Sequence, residues 1–377
     1  MKISEMRNQK ILIISGTLPY ARCGIGDYTN RLAEAFLDTE IVPIVVTSKD
    51  YGKDINSYKV YSVIDNWNKI SSITKIVEIA KKEKIKIIHL QWPTVKYYGA
   101  VKLIFLPLIL KILGFRTVLT LHEYNECTTS YKIKRIPQIL FSDRIIVVDP
   151  RFVDEINKYT FGLKRKKIEF INIGSNIPES RPSEAKRHEL FDGITDIDDE
   201  ILITHFGFIN ESKRVDVVLK ALGEIKRKKL FKFKYIVLTD LNHSSPEVKS
   251  RVLNDIKSNN LDDEVIFKGF LEASKVSEYL SNSDINISLF ENGVSPRNSS
   301  FIAALAQGGE VITTKPHQKF PYSSPKIHLI DNDVNVLVKT LNNIVTSKSY
   351  LEKKNINLPS FKEVANRHIK LYKEISK

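Results

Sequence analysis

The chain reads as an α/β protein of two tandem, doubly wound, Rossmann-like domains facing a cleft. Three observations carry this. Continuous apolar, β-branched runs alternate with segments of helical period, which is the pattern of a parallel sheet covered on both faces. That alternation starts afresh near residue 200. Between the two runs lies "NIPESRPSEAKRHELFDGITDIDDE" (176–200), polar and Pro-containing, which reads as a linker with a short lead-in.

In order, the first half offers "KILIIS" (10–15), the helix-like "DYTNRLAEAF" (27–36), "EIVPIVV" (40–46) and the helix-like "ITKIVEIAKKEK" (73–84). It continues with "IKIIHL" (85–90), an apolar run from Val101 to Phe115, "TVLTLH" (117–122) and "RIIVVD" (144–149). The second half opens on "EILITHFG" (200–207), with the same plan as "KILIISG" (10–16): an apolar run, a glycine, and a loop feeding a helix. "VDVVLKALGEIKRK" (215–228), "FKYIVLTD" (233–240), "EVIFKGF" (264–270), "DINISLF" (284–290) and "EVITT" (310–314) follow. The expected domains are therefore 1–177 and 178–355, with an amphipathic final helix in 356–377 that ends the second domain or crosses back onto the first.

Composition narrows the class. The chain of 377 residues has room for two cores, and its 42% hydrophobic and 27% charged content is that of an ordinary soluble protein. Two cysteines, Cys23 and Cys127, suggest neither a disulfide framework nor a thiolate metal cage, so a reducing cytoplasm is expected. The net charge of +14 favours anionic partners, whether phosphorylated ligands, a membrane face or nucleic acid. No nucleic-acid-binding signature accompanies it, so no nucleic-acid partner is expected. The run "VKLIFLPLILKILGF" (101–115) is too short to span a bilayer and is broken by Lys102, Pro107 and Lys111. It reads first as core packing and second as a helix on an anionic membrane surface, with Tyr97 and Tyr98 upstream suited to either.

Doubly wound domains bind ligands beyond the carboxyl ends of their strands, which singles out three loops. In "GTLPYARCGIGDYTNRL", Gly24 and Gly26 precede a helix, where backbone can approach an anion. The third glycine of a dinucleotide fingerprint is missing, which disfavours NAD. In "ITHFGFINESKRVDVVLKAL", Lys213 and Arg214 reach the start of a helix, an unfavourable place for cations unless an anion lies between them. In "SPRNSSFIAALAQGGEVITT", Ser299 or Ser300 would cap the helix, and Ser295, Arg297 and Asn298 lie just before it. A small-residue loop with one arginine at a helix N-terminus is a phosphate cradle, and with Lys213 it would hold a diphosphate.

With those loops in order, the whole chain resembles retaining glycosyltransferases of family four, which have the GT-B fold and use nucleotide-sugar donors. The likeness runs through "ILIISGTLPYARCGIGDYTNRL", "IIHLQW", "TLHEY", "IEFINIGSNIP", "FGFINESKRVDVVLKAL", "VIFKGFLEASKVSEYLSNSDINISL" and "SPRNSSFIAALAQGGEVITT". It implies that His122 lies at the reaction centre and contacts the sugar, and that Lys213, with Arg214 beside it, neutralises the donor diphosphate. Phe270 and Leu271 would line the nucleobase site, and 295–300 would hold phosphate through backbone N–H groups. The Gly24–Gly26 loop would face acceptor and donor phosphate, with Cys23, Ile25, Asp27 and Tyr124 on the acceptor side. Glu123 is an acid, base or loop-orienting group, Asp27 reads as a helix cap, and His89 as a strand-end structural residue.

Two departures stand out. Where the family commonly has two glutamates eight residues apart, this chain has Ser295 and Ala303, and its usual second-domain arginine is Phe208. The expectation is a cytoplasmic, metal-independent transferase, peripheral at the inner membrane face, with no cofactor beyond its nucleotide-diphosphate-sugar co-substrate. Its acceptor would be a glycan or lipid-linked glycan. A noncatalytic nucleotide-sugar-binding relative is the first alternative, and a basic nucleic-acid-binding protein ranks behind it. Epimerase chemistry on the same fold calls for paired acids that these loops lack.

Overall fold

The structure, a computed structural model, describes residues 9–21, 23–97, 99–194, 199–317, 320–354, 356 and 358–376, with only the backbone of His243. Tyr98 and linker residues 195–198 lie outside the described residues. The chain divides into two compact units, one of 1–176 with 359–377, the other of 177–358.

The first unit holds β1 (Gln9–Ile14), α1 (Gly24–Phe36), β2 (Ile41–Ser48), β3 (Lys59–Ile64), α2 (Ile70–Lys82) and β4 (Ile87–Trp92). After them come α3 (Leu106–Ile112), β5 (Arg116–Leu121), α4 (Thr129–Phe141), β6 (Arg144–Val147), α5 (Arg151–Tyr159) and β7 (Ile168–Phe170). Its strands pair in parallel in the order β3-β2-β1-β4-β5-β6-β7, so the winding reverses between β1 and β4. Residues 11–14 of β1 are fully buried, as a central strand covered on both faces requires.

The second unit runs α6 (Glu184–Phe191), β8 (Ile201–Phe206), α7 (Val215–Lys228), β9 (Phe233–Leu238), α8 (Pro246–Ser258) and β10 (Val265–Phe267). It ends with α9 (Ala273–Asn282), β11 (Ile285–Ser288), α10 (Ser299–Ala306), β12 (Glu310–Thr314), β13 (Ile327–Ile330) and α11 (Val334–Ser347). All its strands pair in parallel, in the order β10-β9-β8-β11-β12-β13, with the switch point between β8 and β11. The last helix, α12 (Phe361–Ser376), belongs to the first unit and packs on α1. Its Val364, Ala365, His368, Ile369, Leu371, Tyr372 and Ile375 are buried along one stripe.

Strands β3, β7 and β13 are not among the runs read from sequence. Each lies at a sheet edge and is only half-buried, so it lacks the unbroken apolar run of a central strand. The Val101 run also resolves. It forms a short 3₁₀ segment, Val101–Phe105, leading into α3. Leu103, Ile104, Leu106 and Leu110 go into the core, while Val101, Phe105, Ile112 and Leu113 stay exposed. Tyr97 is buried, stacked on Trp92 with centroids 4.9 Å apart. Among the described residues, no helix is long and apolar enough to cross a membrane.

Candidate functional site

The second unit builds a compact cationic site beyond the switch point of its sheet. Strand β8 ends at Phe206, and Gly207 turns the chain with φ +113°, a region open to glycine. A Cβ at Gly207 would lie 3.1 Å from Ser300 Cβ, so the loop after β8 crosses close to the start of α10. Lys213 follows, its Nζ donating to Ser300 Oγ at 3.3 Å and lying 4.2 Å from the centre of the Phe290 ring. Among the described residues no carboxylate pairs with it. Burial and the nearby Arg297 guanidinium push the Lys213 ammonium down to about 8. His205, buried near the end of β8, is pushed down to about 4 by burial and by Lys213, so it stays neutral beside that lysine. Two like charges held together in a half-dry site, at a helix start that no side chain caps, form an arrangement that a polyanion completes.

The loop residues divide differently from the sequence reading. Helix α10 begins at Ser299 and its cap position is Asn298, rather than Ser299 or Ser300. The Asn298 side chain turns back, its Oδ1 accepting from the Ser295 N–H at 2.7 Å and from the Ser295 hydroxyl at 3.2 Å. Ser295 is buried, so these two side chains brace the loop instead of reaching a ligand. Arg214 is likewise engaged. It adopts a left-handed conformation (φ +46°) before α7 and donates through Nε and Nη2 to Asp216 at 3.1 and 3.2 Å. That internal ion pair accounts for a cation at a helix start without any ligand. Phe270 is 60% exposed after Gly269, whereas Leu271 packs against the core beneath α9.

Position 303 explains one family departure. Ala303 is fully buried and packs in a cluster with Leu202, Ile236, Val276 and Leu280. A carboxylate there would enter an apolar core. Ala303→Glu is expected to destabilise the chain by at least about 3 kcal/mol, with Ala303→Ser far milder. Denaturant unfolding measures this, and an unchanged midpoint in Ala303→Glu would show that the position reaches water.

The first unit places its own group at the carboxyl ends of β1, β4 and β5. Gly24 is exposed as the first residue of α1. Gly26 is buried for a steric reason: a Cβ would meet Thr17 Oγ1 at 2.9 Å and the Thr17 carbonyl carbon at 3.2 Å. Its lack of a side chain lets α1 sit on the preceding loop and opens nothing to a ligand. Asp27 is no cap, since Cys23 holds that position and no side chain caps the helix. Burial raises the Asp27 carboxyl to about 6. Cys23 is buried and Ile25 half-buried. Tyr124 is fully buried, its ring 6.2 Å from that of Phe152, so it supports the core and cannot touch an acceptor. Glu123 is exposed.

His122 is 8% exposed, directly after β5. Its backbone N–H donates to Trp92 O at 2.7 Å, its Nε2 lies 2.8 Å from Gln91 Oε1, and the Tyr28 ring packs T-shaped with it, centroids 5.0 Å apart. Gln91 is a residue the sequence reading missed. A signal existed: His89 and Gln91, and Thr120 and His122, are polar pairs two apart in or beside otherwise apolar strands. Gln91 pairs in register with Thr120, so the four share one sheet face. Among the described residues, no group of three or more His, Cys, Asp or Glu side chains could hold a metal ion.

Two Rossmann-type units in one chain, each with a switch point, are the make-up of the GT-B fold, and the comparisons bear on that fold. No protein-family model and no curated protein matches the chain. Solved structures do. A glycosyltransferase from Rickettsia africae ESF-5 matches with a TM-score of 0.72 at 17% identity, over 98% of this chain and 99% of that one. Sucrose-phosphate synthase from Thermosynechococcus elongatus matches with the same TM-score, identity and shares. HepE from Anabaena, in complex with UDP and glucose, gives 0.71 at 13% identity over 98% of both chains. The fold of this chain is that of the GT-B glycosyltransferases.

Proposed function

We propose that the protein is a retaining glycosyltransferase moving a sugar from a nucleoside-diphosphate donor to a hydroxyl of a glycan or lipid-linked glycan. The observation that carries this reading is the cluster of Lys213, Arg297 and Ser300 at the start of α10, where two cations share a site and, among the described residues, no carboxylate pairs with Lys213. The binding of UDP and glucose by HepE, a protein of the same fold, supports a nucleotide-sugar ligand.

In the proposed reaction the acceptor oxygen bonds the anomeric carbon on the face from which the diphosphate departs. The bond from that carbon to the phosphate oxygen breaks, and the leaving phosphate takes the acceptor's proton. Lys213, Arg297 and the N–H groups at the start of α10 meet the charge that develops on the phosphate. Each well-aimed donor of this kind contributes roughly 3–4 kcal/mol of barrier lowering. His122 is the group we assign to contact with the sugar.

The test is a thermal-shift and turnover screen of UDP, GDP, ADP, CMP and their sugar conjugates. One nucleotide sugar that stabilises the chain and transfers to a glycan acceptor supports the reading. Binding without turnover on any acceptor favours a nucleotide-sugar-binding relative, the reading to which the buried Ser295 and Ala303 lend weight.

A peripheral membrane location belongs to the same proposal. At the amino-end edge of the first sheet, Phe161 is 92% exposed with φ +50°, and Leu163 is 72% exposed, followed by exposed Arg165, Lys166 and Lys167. The end of α3 adds exposed Lys111, Ile112 and Leu113. Buried Lys164 is pushed down to about 8 by burial and by the fields of Lys167 and Lys111, so these cations crowd one another. Apolar tips ringed by cations fit an anionic headgroup layer. Sedimentation with anionic liposomes at low salt, reversed by high salt and lost in Phe161→Ser/Leu163→Ser, is the expected result. Indifference to such liposomes counts against the location.

A further inference from the structure

His122 belongs to a buried polar chain. Gln91, His89, Thr120 and Tyr372 are all fully buried around it. Gln91 Oε1 lies 2.8 Å from His122 Nε2, and Gln91 Nε2 lies 3.3 Å from His89 Nε2. Thr120 Oγ1 approaches the same His89 nitrogen at 2.7 Å, and His89 Nδ1 lies 2.6 Å from Tyr372 Oη on α12. The other flank of His122 also leads to α12. Tyr28, whose ring packs T-shaped with the imidazole, points its hydroxyl at His368 Nε2 at 3.5 Å, and His368 Nδ1 donates to Val364 O at 2.8 Å.

The chemistry of these groups gives the chain a direction. An amide oxygen only accepts, so as Gln91 is oriented the proton of a neutral His122 sits on Nε2. The Gln91 amide N–H and the Thr120 hydroxyl both donate to His89 Nε2, which leaves the His89 proton on Nδ1, facing Tyr372. Burial holds His89 well below the usual imidazole range, and His368 down to about 4, so both stay neutral. Neutral imidazoles at these two positions suit a dry interior.

We propose that Gln91 is a positioning residue that holds His122 in its Nε2-protonated tautomer, and that α12 anchors this setting through Tyr372–His89–Gln91 and through His368–Tyr28. A fixed tautomer gives His122 one fixed pattern of donor and acceptor toward whatever it meets. For its effect on rate the proposal rests on the glycosyl-transfer reading; for the tautomer it does not.

The experiment is ¹⁵N NMR of the full chain labelled at histidine, with His122 identified by its loss in His122→Asn. The parent is expected to show His122 with its proton on Nε2. Gln91→Glu keeps an acceptor at that place and retains the tautomer, whereas Gln91→Leu loses it. Tyr372→Phe, which removes one hydroxyl and keeps the packing, is expected to disturb the His89 tautomer, and it serves if Gln91→Leu does not fold. An Nδ1-protonated His122 in the parent overturns the proposal, as does a His122 signal that Gln91→Leu leaves unmoved. Where turnover is measurable, kcat in Gln91→Leu is expected to fall about tenfold with donor KM unchanged. A raised KM with kcat intact overturns it. If the parent transfers no sugar, the tautomer result still decides the positioning, and only the transfer reading fails.

Discussion

Lys213→Ala abolishes stabilisation of the chain by a nucleotide sugar while leaving the unliganded protein at least as stable as the parent. Both halves follow from its surroundings. A charge-assisted contact to a diphosphate in a partly dry site is lost, which weakens donor binding roughly a hundredfold. The folded chain holds the Lys213 ammonium at about 8 against an ordinary 10.5. A lysine depressed in this way binds fewer protons folded than unfolded between those values. Stability therefore rises with pH across that window, and the charged side chain is a cost below it. Removing it relieves the repulsion with Arg297. A melting temperature well below the parent's, with the donor shift intact, would assign Lys213 to the fold and refute the cradle.

The same ammonium sets a pH dependence. A nucleotide sugar has its diphosphate already ionised near neutrality, so binding selects the protonated lysine. Affinity is expected to be flat below about 7 and to weaken about tenfold per unit once the pH passes the value of about 8 held by the free site. Lys213→Arg, whose side chain stays protonated, should flatten that limb. Calorimetric titration from pH 6.5 to 9.5 measures both.

His122→Ala leaves donor binding in place and removes most turnover. The donor's diphosphate contacts proposed here all lie in the second unit, whereas His122 is fixed in the first by Trp92 O, Gln91 and Tyr28. Losing the proposed contact to the sugar should lower kcat by roughly a hundredfold or more, with little change in donor KM. The substitution also strands the buried Gln91 oxygen, a cost of about 1–3 kcal/mol, so the assay belongs well below the variant's melting temperature. Turnover within threefold of the parent would remove His122 from the reaction centre.

Much of this molecule was legible from its letters. Unbroken runs such as "KILIIS" and "IKIIHL" can be satisfied only by a sheet covered on both faces, because so much apolar surface has no other place to go. The polar stretch from 176 likewise marked the division of the chain. That Lys213 and Ser300, far apart in sequence, come within 3.3 Å agrees with the reading of the two loops as neighbours.

What the letters could not hold was direction and distant company. Nothing local to Tyr124 says that its ring turns inward, or that Gly26 is small because Thr17 lies against it. Arg214 looks like a ligand cation until its pairing with Asp216 is visible. Gln91 and His89 are two polar letters in an apolar strand, and their purpose depends on His122 in the next strand and on Tyr372, 283 residues beyond His89. Periodicity fixes which face a residue occupies, because that depends on its neighbours in the chain. Which proton a buried imidazole carries depends on whatever the whole fold brings within hydrogen-bond reach, and only the tertiary structure decides that.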